Sequence, residues 1–87
     1  MPTVFIPPLL RSLTGGQAAV QVDGSTVREV IEQLDVQHPG LAERLCDGDQ
    51  LRSGIAVAVD TQLSTSGLRQ PLAPESEVHF LPAIAGG

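Results

Sequence analysis

The stretch DGSTVREVIEQLDVQHPG, residues 23–40, contains the clearest helix signal in the chain, and its place between strand-like segments decides the fold. Thr26 followed by Glu29 has the spacing of a capping box, which predicts that the helix starts there. The next apolar residues recur at i, i+3, i+4 and i+7 and therefore form a single stripe. They are Val27, Val30, Ile31 and Leu34. Pro39 and Gly40 predict the end of the helix, so we expect one amphipathic helix that buries one side.

Strand-like segments lie on both sides of this helix. Four of them are rich in β-branched or aromatic residues, which favours strands. They are residues 3–7, 17–22, 54–60 and 77–81. A short strand is expected near Leu63, and residues 41–46 could form a second, short helix. Because the helix supplies the crossover between the halves, the first and last strands can pair in parallel at the centre.

This order predicts an α+β fold, the β-grasp arrangement of ubiquitin-like proteins, with a mixed sheet of four to five strands packed on one main helix. We expect residues 1–81 to form the β-grasp domain. Residues 82–87 are expected to form a flexible C-terminal tail that ends in Gly-Gly.

Composition excludes several classes of function. The formal net charge is −5, and the five basic residues are arginines spread along the chain, which argues against nucleic acid binding. The single cysteine, Cys46, rules out an internal disulfide and indicates a reducing compartment, so we expect a cytoplasmic protein. No apolar run approaches the roughly 18 residues that a membrane span needs.

The C-terminal tail, which we also call the arm, has the properties of a segment that delivers a carboxylate. Pro82 ends the last predicted strand, and five residues beyond it can reach about 17 Å. Gly86 and Gly87 lack a Cβ atom, so this end of the chain can thread a narrow channel. The ionised terminal carboxylate is a poor acyl donor until a partner converts it to an acyl-adenylate, which a thiolate or sulfide can attack. The chain is therefore expected to be a substrate of other enzymes.

The open face of the predicted sheet is a candidate partner-binding surface. Alternation along the central strands places the residues that face away from the helix beside the root of the tail. They are Phe5, Ala56, Ala58, His79 and Leu81. An exposed apolar patch of this kind usually marks an interface. The alternative is a half-covered sheet with scattered apolar positions, which is common in proteins.

Other reactive residues are better explained by structure. Cys46 follows an apolar helical run and is interpreted as a small buried hydrophobe rather than a nucleophile. His38 suits the C-terminus of the main helix. His38 and His79 have no Cys, Asp or Glu at metal-ligand spacing, so no metal site is predicted. No nucleophile, base and orienting group fall together in the pattern.

The sequence resembles the ThiS/MoaD family of sulfur-carrier proteins over essentially its whole length. The ending PLAPESEVHFLPAIAGG, residues 71–87, looks like the end of these carriers. Three further stretches are most similar to the branch that serves cysteine biosynthesis and related pathways. They are IPPLLRSLTGG at residues 6–16, STVREVIEQL at residues 25–34 and HPGLAERLCD at residues 38–47.

The resemblance implies that an E1-like enzyme of the MoeB/ThiF type uses ATP to adenylate Gly87, which is then converted to a thiocarboxylate. Pro82, Ala83, Ile84, Ala85 and Gly86 would form the tail that presents it. A PLP-dependent cysteine synthase could use the sulfur, and a metal-dependent peptidase could release the cysteine formed. The carrier itself would hold no permanent cofactor.

Two alternatives remain open at this point. The chain could be a small subunit of molybdopterin synthase or a ubiquitin-like protein modifier.

Overall fold

A computed structural model describes residues 1–82 of the chain. Within this range the secondary structure comprises seven strands and two α-helices. The strands are β1 (Thr3–Phe5), β2 (Ala19–Gln21), β3 (Cys46–Asp47), β4 (Gln50–Leu51), β5 (Ile55–Val59), β6 (Gln62–Leu63) and β7 (Glu77–Pro82). The helices are α1 (Val27–Gln37) and α2 (Leu41–Leu45), with 3-10 helices at Pro8–Thr14 and Gly67–Arg69.

A mixed sheet with the strand order β2-β1-β7-β5-β6 forms the main layer. β1 runs parallel to β7, and the other neighbouring strands in this sheet are antiparallel. β7 therefore lies at the centre, between β1 and β5. This arrangement confirms the predicted β-grasp fold, including the parallel pairing of the first and last strands.

The core lies between α1 and one face of the sheet. Alternation along β7 buries Val78 and Phe80, and alternation along β5 turns Val57 inward. The apolar stripe of α1 is also buried, because its positions recur on one side of the helix. The buried cluster comprises Val4, Ile6, Val20, Val22, Val27, Val30, Ile31, Leu34, Leu41, Leu45, Val57, Leu68, Val78 and Phe80.

α1 begins where the capping signals predict. Thr26 is the N-cap, and its Oγ1 atom accepts a hydrogen bond from the Glu29 backbone N–H at 3.2 Å. In a standard capping box the Glu29 side chain would accept from the N–H of the N-cap residue. Here its Oε1 atom accepts instead from the N–H of Ser25, one residue earlier, at 2.8 Å. The first bond satisfies a backbone donor of the first helical turn, and the second holds the residue that precedes the N-cap against that turn.

Asp35 joins the two helices. Its Oδ1 atom accepts hydrogen bonds from the Gly40 N–H at 3.0 Å and the Ala42 N–H at 3.1 Å. The carboxylate therefore lies at the N-terminus of α2, where the exposed N–H groups favour negative charge. Gly40 has a φ of 105°, a conformation that glycine adopts readily, and this allows the tight turn between the helices.

Two regions contain structure that the sequence did not predict. Residues 8–14, for which no helix or strand was predicted, form a 3-10 helix that begins with Pro8, ends with Thr14 and is capped by Gly15. The segment after α2 forms a small hairpin, in which β3 pairs with β4 through Cys46↔Leu51 and Asp47↔Gln50. Strands of two residues are too short to show an alternating pattern in sequence.

The last strand runs one residue beyond its predicted end. Pro82 was assigned to the tail at residues 82–87, but it closes β7 opposite Ile55. A proline is tolerated at a strand end, where the missing N–H interrupts no continuing ladder. The tail residues Ala83, Ile84, Ala85, Gly86 and Gly87 lie outside the described residues, so their assignment stays a prediction.

Candidate functional site

The register of the central strands brings the predicted face residues together. His79 on β7 lies opposite Phe5 on β1 and opposite Ala58 on β5. Leu81 lies opposite Ala56 one step further along β7. Directly opposed residues on neighbouring strands point to the same side of a sheet. These five residues therefore form a contiguous surface, which we call the open face; its role in partner binding stays a prediction.

An aromatic pair occupies the middle of the open face. The rings of Phe5 and His79 stack with centroids 4.3 Å apart and an angle of 4° between their planes. The Nε2 atom of His79 also lies 3.7 Å from Oε1 of Glu77, two residues earlier on the same strand. The stack covers one face of the His79 ring with Phe5.

The edge of the open face includes a residue that sequence reasoning missed. Leu63 on β6 pairs with Ala58, so it extends the same row of side chains, and 66% of its surface is exposed. Leu81 is 43% exposed, while Phe5 and His79 are half-buried. A short strand was expected at Leu63, but its side could be assigned only once the β5–β6 register was known.

The arm starts from the centre of the sheet rather than from its edge. β7 pairs with β1 along residues 77–79 and with β5 along residues 78–82, and its last two positions, Leu81 and Pro82, are paired with β5. Gly87 is five residues beyond Pro82, so an extended chain would place the carboxylate at most about 17 Å from the strand. A partner that reacts with this carboxylate must therefore come close to the end of β7.

Cys46 lies outside the open face. It ends α2 and starts β3, is partly buried, and packs against the core. Burial raises the pKa of the Cys46 thiol, although the nearby Arg28 and Arg52 guanidinium groups oppose this shift. A raised pKa leaves the less nucleophilic thiol form at neutral pH. These properties match the interpretation of Cys46 as a structural residue.

His38 occupies the predicted end of the main helix. It is the C-cap of α1, and its backbone N–H donates to the Leu34 carbonyl at 2.7 Å. Across residues 1–82, no group of three or more His, Cys, Asp or Glu side chains is placed to hold a metal ion. In the same range, no helix has both the length and the apolar character for crossing a membrane.

The sequence and the fold match those of known proteins. A model of the ThiS family matches residues 4–87. The sulfur carrier protein CysO of Mycobacterium bovis is 37% identical over an alignment 90 residues long. The alignment covers 98% of this chain and 97% of that protein. A chain in the crystal structure of the Amycolatopsis orientalis BexX/CysO complex has a TM-score of 0.90 and 35% identity, with 100% of both chains covered. Mycobacterium tuberculosis CysO has a TM-score of 0.87 and 34% identity, covering 97% of this chain and 100% of that chain.

Proposed function

The chain belongs to the ThiS family, and we propose that it is a sulfur carrier whose reacting group is the carboxylate of Gly87. The identity of 37% to a sulfur carrier over 98% of the chain carries this proposal. The position of β7 supports it. The strand that leads to Gly87 is paired with β1 along residues 77–79 and with β5 as far as Pro82, so the domain anchors a short arm.

The chemistry requires two steps at one carbonyl carbon. A carboxylate oxygen of Gly87 first attacks the α-phosphorus of ATP, and pyrophosphate leaves to give an acyl-adenylate. A sulfide or persulfide sulfur then attacks the carbonyl carbon, and AMP leaves with the bonding electrons. A sulfide gives the thiocarboxylate directly, whereas a persulfide gives an acyl disulfide that needs a thiol reductant to release it. Apart from the Gly87 carboxylate itself, neither step requires a base or nucleophile from this chain.

An E1-like enzyme of the MoeB/ThiF type would catalyse the adenylation and the sulfur transfer. The open face, Phe5, Ala56, Ala58, His79 and Leu81, is the surface on which such an enzyme would dock beside the arm. The BexX/CysO complex offers support by analogy, since it contains a protein of this fold bound to a partner. The net charge of −5 would favour a basic surface on the docking enzyme.

The carrier would act as a cosubstrate and hold no permanent cofactor. Because adenylation consumes ATP, the proposal places the protein in the cytoplasm. On the resemblance to the cysteine-biosynthesis branch, the sulfur would pass to a PLP-dependent cysteine synthase, and a metal-dependent peptidase would release the product. The synthase-subunit and protein-modifier alternatives are not favoured, because the relative with 37% identity is named a sulfur carrier.

Intact mass spectrometry tests the proposal. The chain is incubated with ATP, a sulfur source and the E1-like enzyme of its own organism. Replacement of one oxygen by sulfur is expected, and a variant lacking Gly87 should show no change. On addition of the cysteine synthase and its substrate, a total mass increase of one cysteine residue over the unmodified chain would identify the acceptor branch, because the sulfur already carried becomes the thiol of that residue. A terminus that never gains sulfur with any E1-like enzyme of the organism would overturn the proposal.

A further inference from the structure

An apolar groove of about 230 Å³ lies beside the root of the arm, separate from most of the open face. Three parts of the fold build it: the 3-10 helix after β1, the end of α2, and the adjoining ends of β5 and β7. Its walls include Leu9, Leu10, Arg44, Ile55, Leu81 and Pro82. We call it the arm-root groove. Leu81 belongs to both surfaces, so the groove continues the open face around the end of β7.

Two side chains distinguish the groove from an ordinary surface depression. Leu9 is 92% exposed, although large apolar side chains usually gain from burial. Arg44 is also exposed and has no ion pair with any of residues 1–82. The groove therefore presents an apolar pocket with one cationic group at its rim.

The length of the arm restricts what can cover this groove. Five extended residues span about 17 Å, so the terminal carboxylate cannot reach much further than that from Pro82, which is itself part of the groove wall. An enzyme that encloses the terminal carboxylate in its active site must bring its surface to the end of β7. That surface would then cover Leu9 and Arg44 as well.

We propose that the arm-root groove is a second docking point for the adenylating enzyme, which inserts a large apolar side chain flanked by a carboxylate. The apolar side chain would pack against Leu9 and Ile55, and the carboxylate would pair with Arg44. The proposal rests on the proposed function, because that function brings the enzyme to the end of β7. It assigns recognition to the groove and leaves the chemistry at Gly87 unchanged.

Binding of full-length variants to the E1-like enzyme of the same organism tests this assignment. Leu9→Ser is expected to raise Kd about tenfold, the effect of losing one well-packed anchor. Arg44→Glu is expected to raise Kd by at least a similar factor and more than Arg44→Gln, because it places like charges together. Isothermal titration calorimetry at two salt concentrations should show that the loss in Arg44→Glu is larger at low salt.

Matched controls separate these effects from general changes in apolarity and charge. Val36→Ser removes another exposed apolar residue, 76% exposed on α1, and should change Kd less than twofold. Arg69→Glu makes the same charge change in the second 3-10 helix and should also have little effect. Leu9 and Arg44 are exposed, so their replacement should leave the thermal midpoint of unfolding nearly unchanged.

Several results would overturn the assignment while leaving the carrier function intact. One such result is that the wild-type chain gains sulfur while Leu9→Ser and Arg44→Glu bind the enzyme as the wild type does. This would show that the groove plays no part in binding. NOEs between the Ile84 methyl groups and those of Leu9 or Ile55 in the free chain would show that the arm itself fills the groove. A dimer abolished by Leu9→Ser would assign the groove to a second copy. Failure of the wild type to gain sulfur would instead count against the proposed function.

Discussion

The imidazole of His79 stacks almost parallel to the ring of Phe5, with the two ring centroids 4.3 Å apart. The two residues are direct partners in the parallel β1–β7 pair, so the contact joins the first strand of the chain to the last one described. Because the rings lie on the open face rather than in the core, the contact can stabilise the sheet and also shape a docking surface.

A double-mutant cycle should measure this contact. Phe5→Ala and His79→Ala are expected to show a coupling of about 0.5–1.5 kcal/mol in the free energy of unfolding, because stacked rings contribute beyond their buried area. Urea denaturation monitored by far-UV circular dichroism gives the four values. A control cycle with Thr3→Ala and Gln21→Ala should give a coupling near zero, because the hydrogen bond from Gln21 Nε2 to Thr3 Oγ1 is long, at 3.5 Å, and exposed. Equal coupling in both cycles would contradict a special role for the stack.

Leu81→Glu should weaken binding of the adenylating enzyme at least about tenfold while the domain stays folded. Leu81 is 43% exposed, so a carboxylate there remains solvated in the free chain but becomes desolvated in an apolar interface. Surface plasmon resonance measures the affinity, and thermal unfolding verifies the fold. Val36→Glu, a similar change on the exposed side of α1, should bind normally. Unchanged binding by Leu81→Glu would exclude the open face as the docking surface.

Asp35→Ala should lower the free energy of unfolding by about 1–2 kcal/mol, since it removes the acceptor for two backbone N–H groups at the start of α2. Asp35→Asn retains a side-chain oxygen and should recover much of the loss. Gln33→Ala, on the exposed surface of the same helix, should change stability by less than about 0.5 kcal/mol. Chemical denaturation of the three variants ranks them, and an Asp35→Ala variant as stable as Gln33→Ala would contradict the capping role.

Stability should decline at alkaline pH, with Cys46 as the cause. Burial raises the pKa of the Cys46 thiol, so the folded chain holds a proton that the unfolded chain has already lost. The resulting stabilisation is complete below the ordinary thiol pKa and disappears as the pH rises through the higher folded-state pKa. The chain contains no lysine and no tyrosine, so no other side chain titrates in this window.

Urea denaturation under reducing conditions at a series of pH values from 8 to about 11 measures this slope. Cys46→Ala should flatten it. A slope that persists in Cys46→Ala would place its origin elsewhere.

Local signals made the helices predictable. The start of α1 depends on Thr26, Glu29 and the apolar stripe, which all lie within one short stretch, and the structure retains each of them. The strands at the sheet centre were also predictable, because five-residue alternation in β5 and β7 is long enough to show a period of two. The chain therefore contained enough information for the β-grasp order and for the five residues of the open face.

Features that depend on several distant segments could not be predicted in the same way. The stack of Phe5 on His79 requires the register between strands that are 74 positions apart in the sequence, counted from the paired residues. The arm-root groove combines Leu9, Arg44 and Ile55 from three separate elements, and no local period connects them. The hairpin of β3 and β4 was not predicted for a different reason: a strand of two residues is too short to display alternation.

The central position of β7 also has a mechanical consequence. Its hydrogen bonds run across the strand, perpendicular to its length on the antiparallel β5 side and slanted on the parallel β1 side. A force that draws the C-terminal end outward, while the rest of the domain is held, would load these bonds in shear, so they must rupture together rather than peel apart in turn. We expect the domain to resist extraction along this axis, and an enzyme could therefore pull the arm taut without unravelling the domain that carries it.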